Sequence, residues 1–173
     1  MLLGPTVFLT EGTSCNAQNA SFVEGNMQDL SRFDDASFDV AVSIHALGYV
    51  ERAGVSIAEA ARVLKPGGVL AVSVSHPFNI TRDEAAPYGL IRSYWSRTID
   101  WQWTFDDKKT TADFRDYSHT TQEWFDMLTG AGFNVERLLE PQQGNVVGDD
   151  AKHLDMRLAK LTPYALILKA RKR

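Results

Sequence analysis

Two apolar segments separated by one amphipathic helix constrain the fold of this chain more than any other feature. Phe38–Ile44 (FDVAVSI) is a nearly continuous apolar run, which predicts a strand buried on both faces. The next apolar positions, Ile57, Ala60, Ala61 and Leu64, share one face of a helix. The string KPGG at 65–68 ends that helix, and Val69–Ser75 (VLAVSVS) indicates a second strand. Strand, helix and strand in this order form a parallel βαβ unit, so we predict an α/β fold.

Further short elements surround this unit. We predict strands at Thr6–Thr10, Ala20–Gly25, Phe133–Leu139 and Tyr164–Ala170, with the remainder of residues 1–19 irregular. Thr120 and Glu123 have the spacing of a capping box, which predicts a helix that begins there. The alternation of charged and apolar residues over Asp149–Leu161 has helical spacing.

Residues 79–118 interrupt the pattern with a dense set of aromatic side chains interleaved with charge. The set comprises Tyr88, Tyr94, Trp95, Trp101, Trp103, Phe105, Phe114 and Tyr117. We expect an insertion that packs over the sheet edge. Its aromatic side chains serve either as a lid over a binding site or as ordinary core packing.

Length and composition indicate one domain and exclude several classes of protein. A chain of 173 residues can form one domain with a sizeable core, so we treat residues 1–173 as a single domain. The net charge of −4 provides no field that favours nucleic acid or an anionic membrane. No apolar run approaches the ~20 residues that span a bilayer. The single cysteine, Cys15, excludes disulfide frameworks and Cys-rich zinc sites and fits a cytoplasmic setting.

Four strings, in this order and spacing, carry a family resemblance: GNMQDL (25–30), DASFDVAVS (35–43), EAARVLKPGG (59–68) and AGF with EP (131–133 and 140–141). Over residues 20–173 the chain resembles class I S-adenosylmethionine-dependent methyltransferases of the type 11 group. The resemblance implies a Rossmann-like fold, with a mainly parallel sheet and an antiparallel C-terminal hairpin. It also implies S-adenosylmethionine as cofactor and methyl transfer to a small molecule.

The resemblance assigns candidate site residues. Asn26 stands where the family has an acidic residue that binds the adenine amino group, and Met27 would follow with its backbone N–H toward the ring. Ser43, Ile44 and His45, at the end of a strand, would face the cofactor. His76 and His119 are candidate catalytic bases, since histidine exchanges protons near neutral pH and both are expected near the carboxyl ends of the strands.

One feature of the family has no counterpart in this sequence. The glycine-rich loop that approaches the cofactor is absent, because Gly4, Gly12 and Gly25 are isolated. The sequence therefore predicts an N-terminally truncated form of the fold. Two hypotheses follow: a methyltransferase, or a non-catalytic remnant or partner subunit that does not bind cofactor alone. Loss of strands would expose apolar sheet edges, so we also expect a tendency to form homo-oligomers.

The sequence lacks the motifs of several other enzyme classes. There is no Tyr-x-x-x-Lys pair of a short-chain dehydrogenase, no P-loop string and no G-x-S-x-G elbow. The four histidines and one cysteine show no metal-ligand spacing, so we expect no metal site.

Overall fold

The computed structural model describes residues 23–83, 86–90, 92–105, 110–142 and 162–173. Its strands are β1 (Phe38–Ile44), β2 (Leu64–Ser75), β3 (Arg82–Asp83), β4 (Ala86–Leu90), β5 (Thr98–Thr104), β6 (Thr111–Tyr117), β7 (Phe133–Leu139) and β8 (Ala165–Lys172). Its α-helices are α1 (Ala53–Val63) and α2 (Thr121–Gly130), and short 3-10 turns lie at Leu47–Tyr49 and Asn79–Thr81. The strand predicted at 6–10 and the helix predicted at 149–161 lie outside the described residues.

The main sheet has the order β1-β2-β8-β7. β1 and β2 are parallel, with Ala41 beside Leu70 and Ser43 beside Val72. β8 is antiparallel to both β2 and β7, which confirms the predicted C-terminal hairpin. The described part of the sheet is therefore mixed, with one parallel and two antiparallel junctions, where the sequence predicts a mainly parallel sheet.

One face of this sheet carries the hydrophobic core. Leu70, Val72 and Val74 of β2 are buried, and so are Leu166, Leu168 and Ala170 of β8. Both helices contribute to the same cluster, α1 through Ile57 and Ala61 and α2 through Trp124 and Leu128. Burial of these side chains is the main source of stability, at roughly 1.5–3 kcal/mol for each large one.

The capping box predicted for α2 is present. The Thr120 hydroxyl accepts a hydrogen bond from the Glu123 N–H at 3.2 Å, and the Glu123 carboxylate accepts one from the Thr120 N–H at 2.9 Å. Two N–H groups that the first helical turn leaves without partners are thereby bonded. The cap fixes where α2 begins, and therefore where the preceding residues Ser118 and His119 lie.

The β1–β2 junction depends on two glycines. Gly67 has a φ of 79°, a value that side-chain-bearing residues rarely adopt. A Cβ on Gly68 would lie 2.8 Å from the carbonyl oxygen of Lys65 and 3.2 Å from that of Asp39. The absence of a side chain at Gly68 thus lets β1 and β2 approach each other.

The aromatic insertion folds apart from the main sheet, as two separate two-stranded sheets, β3-β4 and β5-β6. In the second sheet, Trp101 stacks on Phe114 of the neighbouring strand, with ring centroids 4.6 Å apart. β6 then packs against the 3-10 turn at Leu47–Tyr49, which follows β1. The insertion therefore reaches the carboxyl end of the parallel strands.

Two local expectations are wrong. β1 is not buried on both faces in the described part of the chain: Val40, Val42 and Ile44 are 58%, 63% and 72% exposed. The reason is that both helices cover the same face and β1 is an edge strand of the described sheet. Residues 23–25, the described half of the strand predicted at Ala20–Gly25, have no strand conformation.

Candidate functional site

A pocket lies at the carboxyl ends of β1 and β2, under β6 and the start of α2. It is a small cavity of about 40 Å³ that is open to solvent. Its principal lining side chains are His45, Tyr49, Ser75, Asp116, His119 and Trp124. In α/β sheets this end of the strands is where ligands bind. Two histidines that the sequence predicts as site residues, His45 and His119, are thus brought together.

His45 enters the pocket on a strained backbone. Its φ is 51°, in the left-handed region that costs a non-glycine residue about 1–2 kcal/mol. The conformation is held by a hydrogen bond from the His45 N–H to the carbonyl of Ser73, at 2.8 Å. Strain of this kind clusters at functional sites, because the surrounding structure must maintain it.

Asp116 is the only acidic side chain among the described residues that line the pocket, and it was not predicted from the sequence. Its Oδ1 accepts a hydrogen bond from the Trp101 indole N–H at 3.0 Å. Burial raises the pKa of this carboxyl group, and the bond from Trp101 offsets part of the effect. No ion pair involves Asp116 within the described residues.

Tyr49 also lines the pocket, from the 3-10 turn after β1. Burial raises the pKa of its phenol, and the nearby Asp116 charge raises it further. The Tyr49 ring also tilts against Phe114, with the centroids 6.4 Å apart. Tyr49 therefore remains a neutral, aromatic wall at physiological pH.

His119 provides the basic atom of the pocket. Its ring packs edge-on against Trp124, with the centroids 5.0 Å apart, and its Nε2 atom is buried without a hydrogen-bond partner in the described residues. Burial lowers the pKa of the imidazole; Glu123 opposes this effect and Arg97 adds to it. His119 is consequently a neutral imidazole near pH 7, with a buried ring nitrogen that no described residue bonds.

His76, the other candidate base, is bonded on both ring nitrogens. The Phe78 N–H donates to Nδ1 at 3.1 Å, which assigns the proton to Nε2. Nε2 then donates to the Glu140 carboxylate at 2.8 Å. The buried His76 side chain thus connects the end of β2 to the end of β7, and it is not among the side chains that line the pocket.

Ser43 and Ile44 lie at the end of β1 with opposite orientations. The Ser43 hydroxyl is buried and has no hydrogen-bond partner in the described part of the chain. A buried polar atom of this kind costs about 1–3 kcal/mol unless a ligand or water satisfies it. Ile44 is 72% exposed, on the sheet face that neither helix covers.

Asn26 and Met27 lie in a turn before β1. The Asn26 side-chain oxygen accepts a bond from the Gln28 N–H at 2.9 Å, so it stabilises its own turn. Its carboxamide is exposed and retains a second lone pair and both N–H donors. Met27 is half-buried and packs against the core cluster. The Gln28 side chain contacts Arg52 at the start of α1, which places this turn beside that helix.

Two residues that line the pocket, Asp116 and Tyr49, were therefore not predicted as site residues from the sequence. In the sequence, Asp116 is one charge among many in the aromatic segment. Its burial depends on Trp101, which lies 15 residues earlier and reaches it only when the β5-β6 hairpin forms. The available signal was the strand alternation at 111–117, which does not show what covers each face.

Other ligand classes find no site in the described residues. No group of three or more His, Cys, Asp or Glu side chains is placed there to hold a metal ion. Among the helices that the structure describes, none has the length and apolar character required to cross a bilayer.

Comparison with known proteins gives the same family as the sequence motifs. A family model described as a methyltransferase domain matches residues 8–72. The curated protein YafE of Escherichia coli, itself uncharacterised, is 26% identical over 122 residues. The match covers 70% of this chain and 50% of YafE, so the chain spans about half the length of that relative.

Solved structures share the fold. A candidate S-adenosylmethionine-dependent methyltransferase from Listeria monocytogenes aligns with a TM-score of 0.66 at 19% identity, over 86% of this chain and 67% of that one. An S-adenosylmethionine-dependent methyltransferase from Mesorhizobium loti aligns with a TM-score of 0.60 at 22% identity, with the same coverages. The family model covers residues 8–72, and the solved structures show that the chain has the Rossmann-like fold found in S-adenosylmethionine-dependent methyltransferases.

Proposed function

We propose that this chain takes part in methyl transfer from S-adenosylmethionine to a small-molecule acceptor, at the pocket beyond β1 and β2. The observation that carries the proposal is that two buried polar atoms at this edge, the Ser43 hydroxyl and His119 Nε2, have no hydrogen-bond partner among the described residues. An open polar pocket at the carboxyl ends of the strands is where the fold binds ligands. The cofactor would supply a methyl group on a positively charged sulfur.

The residues at the end of β1 and in the turn at Asn26 fit one side of a cofactor site. Ser43 offers a buried hydroxyl, and the backbone that follows it turns sharply at His45 toward the pocket. Asn26 retains the donors and the lone pair needed to bind an adenine edge, and Met27 anchors the turn that carries it. We propose these residues, with Ile44 as the backbone link between Ser43 and His45, as the cofactor side of the site.

The acceptor side has a base. His119 Nε2 is unbonded, and burial keeps the imidazole neutral near pH 7, so it can take a proton from an acceptor. The rest of the rate enhancement would come from proximity, because methyl transfer requires the acceptor to be held in line with the methyl group. We assign His76 a positioning role instead, because its bonds to Phe78 and Glu140 fix the end of β2.

Calorimetric titration tests the proposal. S-adenosylmethionine and S-adenosylhomocysteine should each bind the purified chain with saturable heat, and Asn26→Ala should weaken both several-fold. Gln28→Ala provides the matched control, because its side chain is in the same turn but bonds Arg52. Absence of heat at millimolar ligand would favour the second hypothesis, a remnant or partner subunit. The exposure of Val40, Val42 and Ile44 is the observation that favours that alternative.

A further inference from the structure

The aromatic hairpin β5-β6 brings one carboxyl group into the pocket, and no described residue forms an ion pair with it. We propose that this carboxyl group, Asp116, selects an acceptor with a positively charged amino group. The proposal rests on the function proposed above and specifies its substrate class. Three observations support it: the hydrogen bond that Asp116 accepts, the ion pairs of the neighbouring arginines, and the aromatic side chains that line the pocket.

One oxygen of Asp116 is committed and the other is available. The Trp101 indole donates to Oδ1, and that indole is fixed by its stacking on Phe114. The second oxygen, Oδ2, receives no hydrogen bond from a described residue. The carboxyl group is thus held in one orientation, with an acceptor atom in a pocket-lining side chain. A pre-oriented carboxylate is suited to bind an ammonium group.

Two arginines near Asp116 in the sequence, Arg115 and Arg97, each form an ion pair with another acidic residue. Arg115, the preceding residue on β6, forms a two-point pair with Asp100, at 2.6 and 2.8 Å. Arg97, before β5, pairs with Glu123 of the capping box. A half-buried carboxylate without a cation is costly, and a bound cation would remove that cost.

The surrounding side chains suit a cation with an apolar body. Tyr49 and Trp124 are aromatic side chains that line the same pocket as Asp116. Aromatic faces attract ammonium groups and also pack against apolar surface. His119, neutral and on the same wall, adds no positive charge that would repel the ligand. The pocket therefore combines one negative charge with aromatic walls.

Three probes of similar shape test the charge preference: 2-phenylethylamine as cation, 2-phenylethanol as neutral molecule and phenylacetate as anion. We expect the amine to bind wild-type protein about tenfold or more tightly than the alcohol, and phenylacetate to bind weakest. NMR titration reports the affinities without any cofactor. Equal binding of amine and alcohol, or tighter binding of phenylacetate, would overturn the proposal whatever the behaviour of any variant.

Two variants test whether Asp116 is the group that causes the preference for the amine. Asp116→Asn keeps an oxygen for Trp101 but removes the charge, so it should abolish the preference for amine over alcohol. Asp113→Asn, on the same strand and bonded to Gln102, should preserve the preference. An unchanged preference in Asp116→Asn would assign the cation site elsewhere and refute the proposal.

The sulfonium of the cofactor is the other cation that could lie beside Asp116. If it does, Asp116→Asn will reduce the affinity ratio of S-adenosylmethionine to S-adenosylhomocysteine while the amine preference stays the same, and our proposal fails. If the ratio stays the same and the amine preference is lost, the proposal holds. Failure of the amine series with S-adenosylhomocysteine still bound would leave the proposed methyl transfer intact.

Discussion

The binding role that we propose for Asp116 and its effect on stability have opposite signs. Burial raises the pKa of its carboxyl group above the ordinary 3.8, so the folded state binds this proton more tightly than the unfolded state. The resulting stabilisation is present at low pH and is lost as pH rises through the raised pKa. At pH 7 the group is therefore a net cost to folding, as expected of a site residue.

The destabilising effect of ionised Asp116 at pH 7 gives the first prediction. Asp116→Asn should raise the free energy of unfolding at pH 7 by up to about 1 kcal/mol, and should raise it less at pH 3. Urea denaturation at both pH values measures the difference. Asp113→Asn, an exposed substitution on the same strand, controls for the change of acid to amide. A loss of stability at pH 7 in Asp116→Asn alone would mean that Asp116 is a structural residue.

Individual residues also show which parts of the structure could be predicted from the sequence and which could not. The capping residues Thr120 and Glu123 were identifiable because their partners lie three residues apart. Asp116 was not, because the indole that binds it lies 15 residues away and the pairing depends on hairpin register. His45 and His119 were predicted as separate candidates, and only the fold shows that one pocket contains both.

Among the elements, several were predicted with nearly the right bounds, but β2 begins at Leu64 rather than at the predicted Val69, because Leu64 already pairs with Phe38 of β1. β1 and β7 match the predicted strands, and β8 is displaced by only one or two residues from the predicted Tyr164–Ala170. Their exposure was not predictable, since it depends on which elements cover each face. β1 has the apolar composition of a two-sided strand, yet one of its faces is open in the described part of the chain.

The β1–β2 junction provides a prediction at this scale. Gly68→Ala would place a Cβ 2.8 Å from the Lys65 carbonyl oxygen, and a backbone atom cannot move away as a side chain does. We expect a loss of about 1–3 kcal/mol in the free energy of unfolding. Gly130→Ala, at a helical position with no atom within 4 Å of the new Cβ, should change stability by between zero and about 1 kcal/mol in the stabilising direction. Equal effects at the two positions would refute this account of the junction.

At the scale of the whole molecule, the two faces of the main sheet are unequal. One is covered by α1 and α2 and contains the core. The other presents Val40, Val42 and Ile44 on a strand that has a single neighbour within the described residues. Apolar edge strands tend to pair with another chain. We therefore expect a second copy of this chain to associate through β1.

Sedimentation velocity over a range of concentrations tests the association. The wild-type chain should form dimers or larger species as concentration rises, and Val42→Lys should shift it toward monomer by placing a charge on the edge. Phe125→Lys changes an exposed apolar residue on α2 and should leave the association unaltered. A wild-type chain that stays monomeric throughout would show that β1 is covered in another way.

Binding of the cofactor at the carboxyl edge of β1 is the central claim, and an NMR map of S-adenosylhomocysteine binding tests it most directly. With a ¹⁵N-labelled chain, we predict that the largest amide shift changes occur at Asn26, Met27 and residues 43–45, and that they saturate together. Shift changes clustered elsewhere, or none at millimolar ligand, would contradict the claim that this edge is the cofactor side of a methyltransferase site.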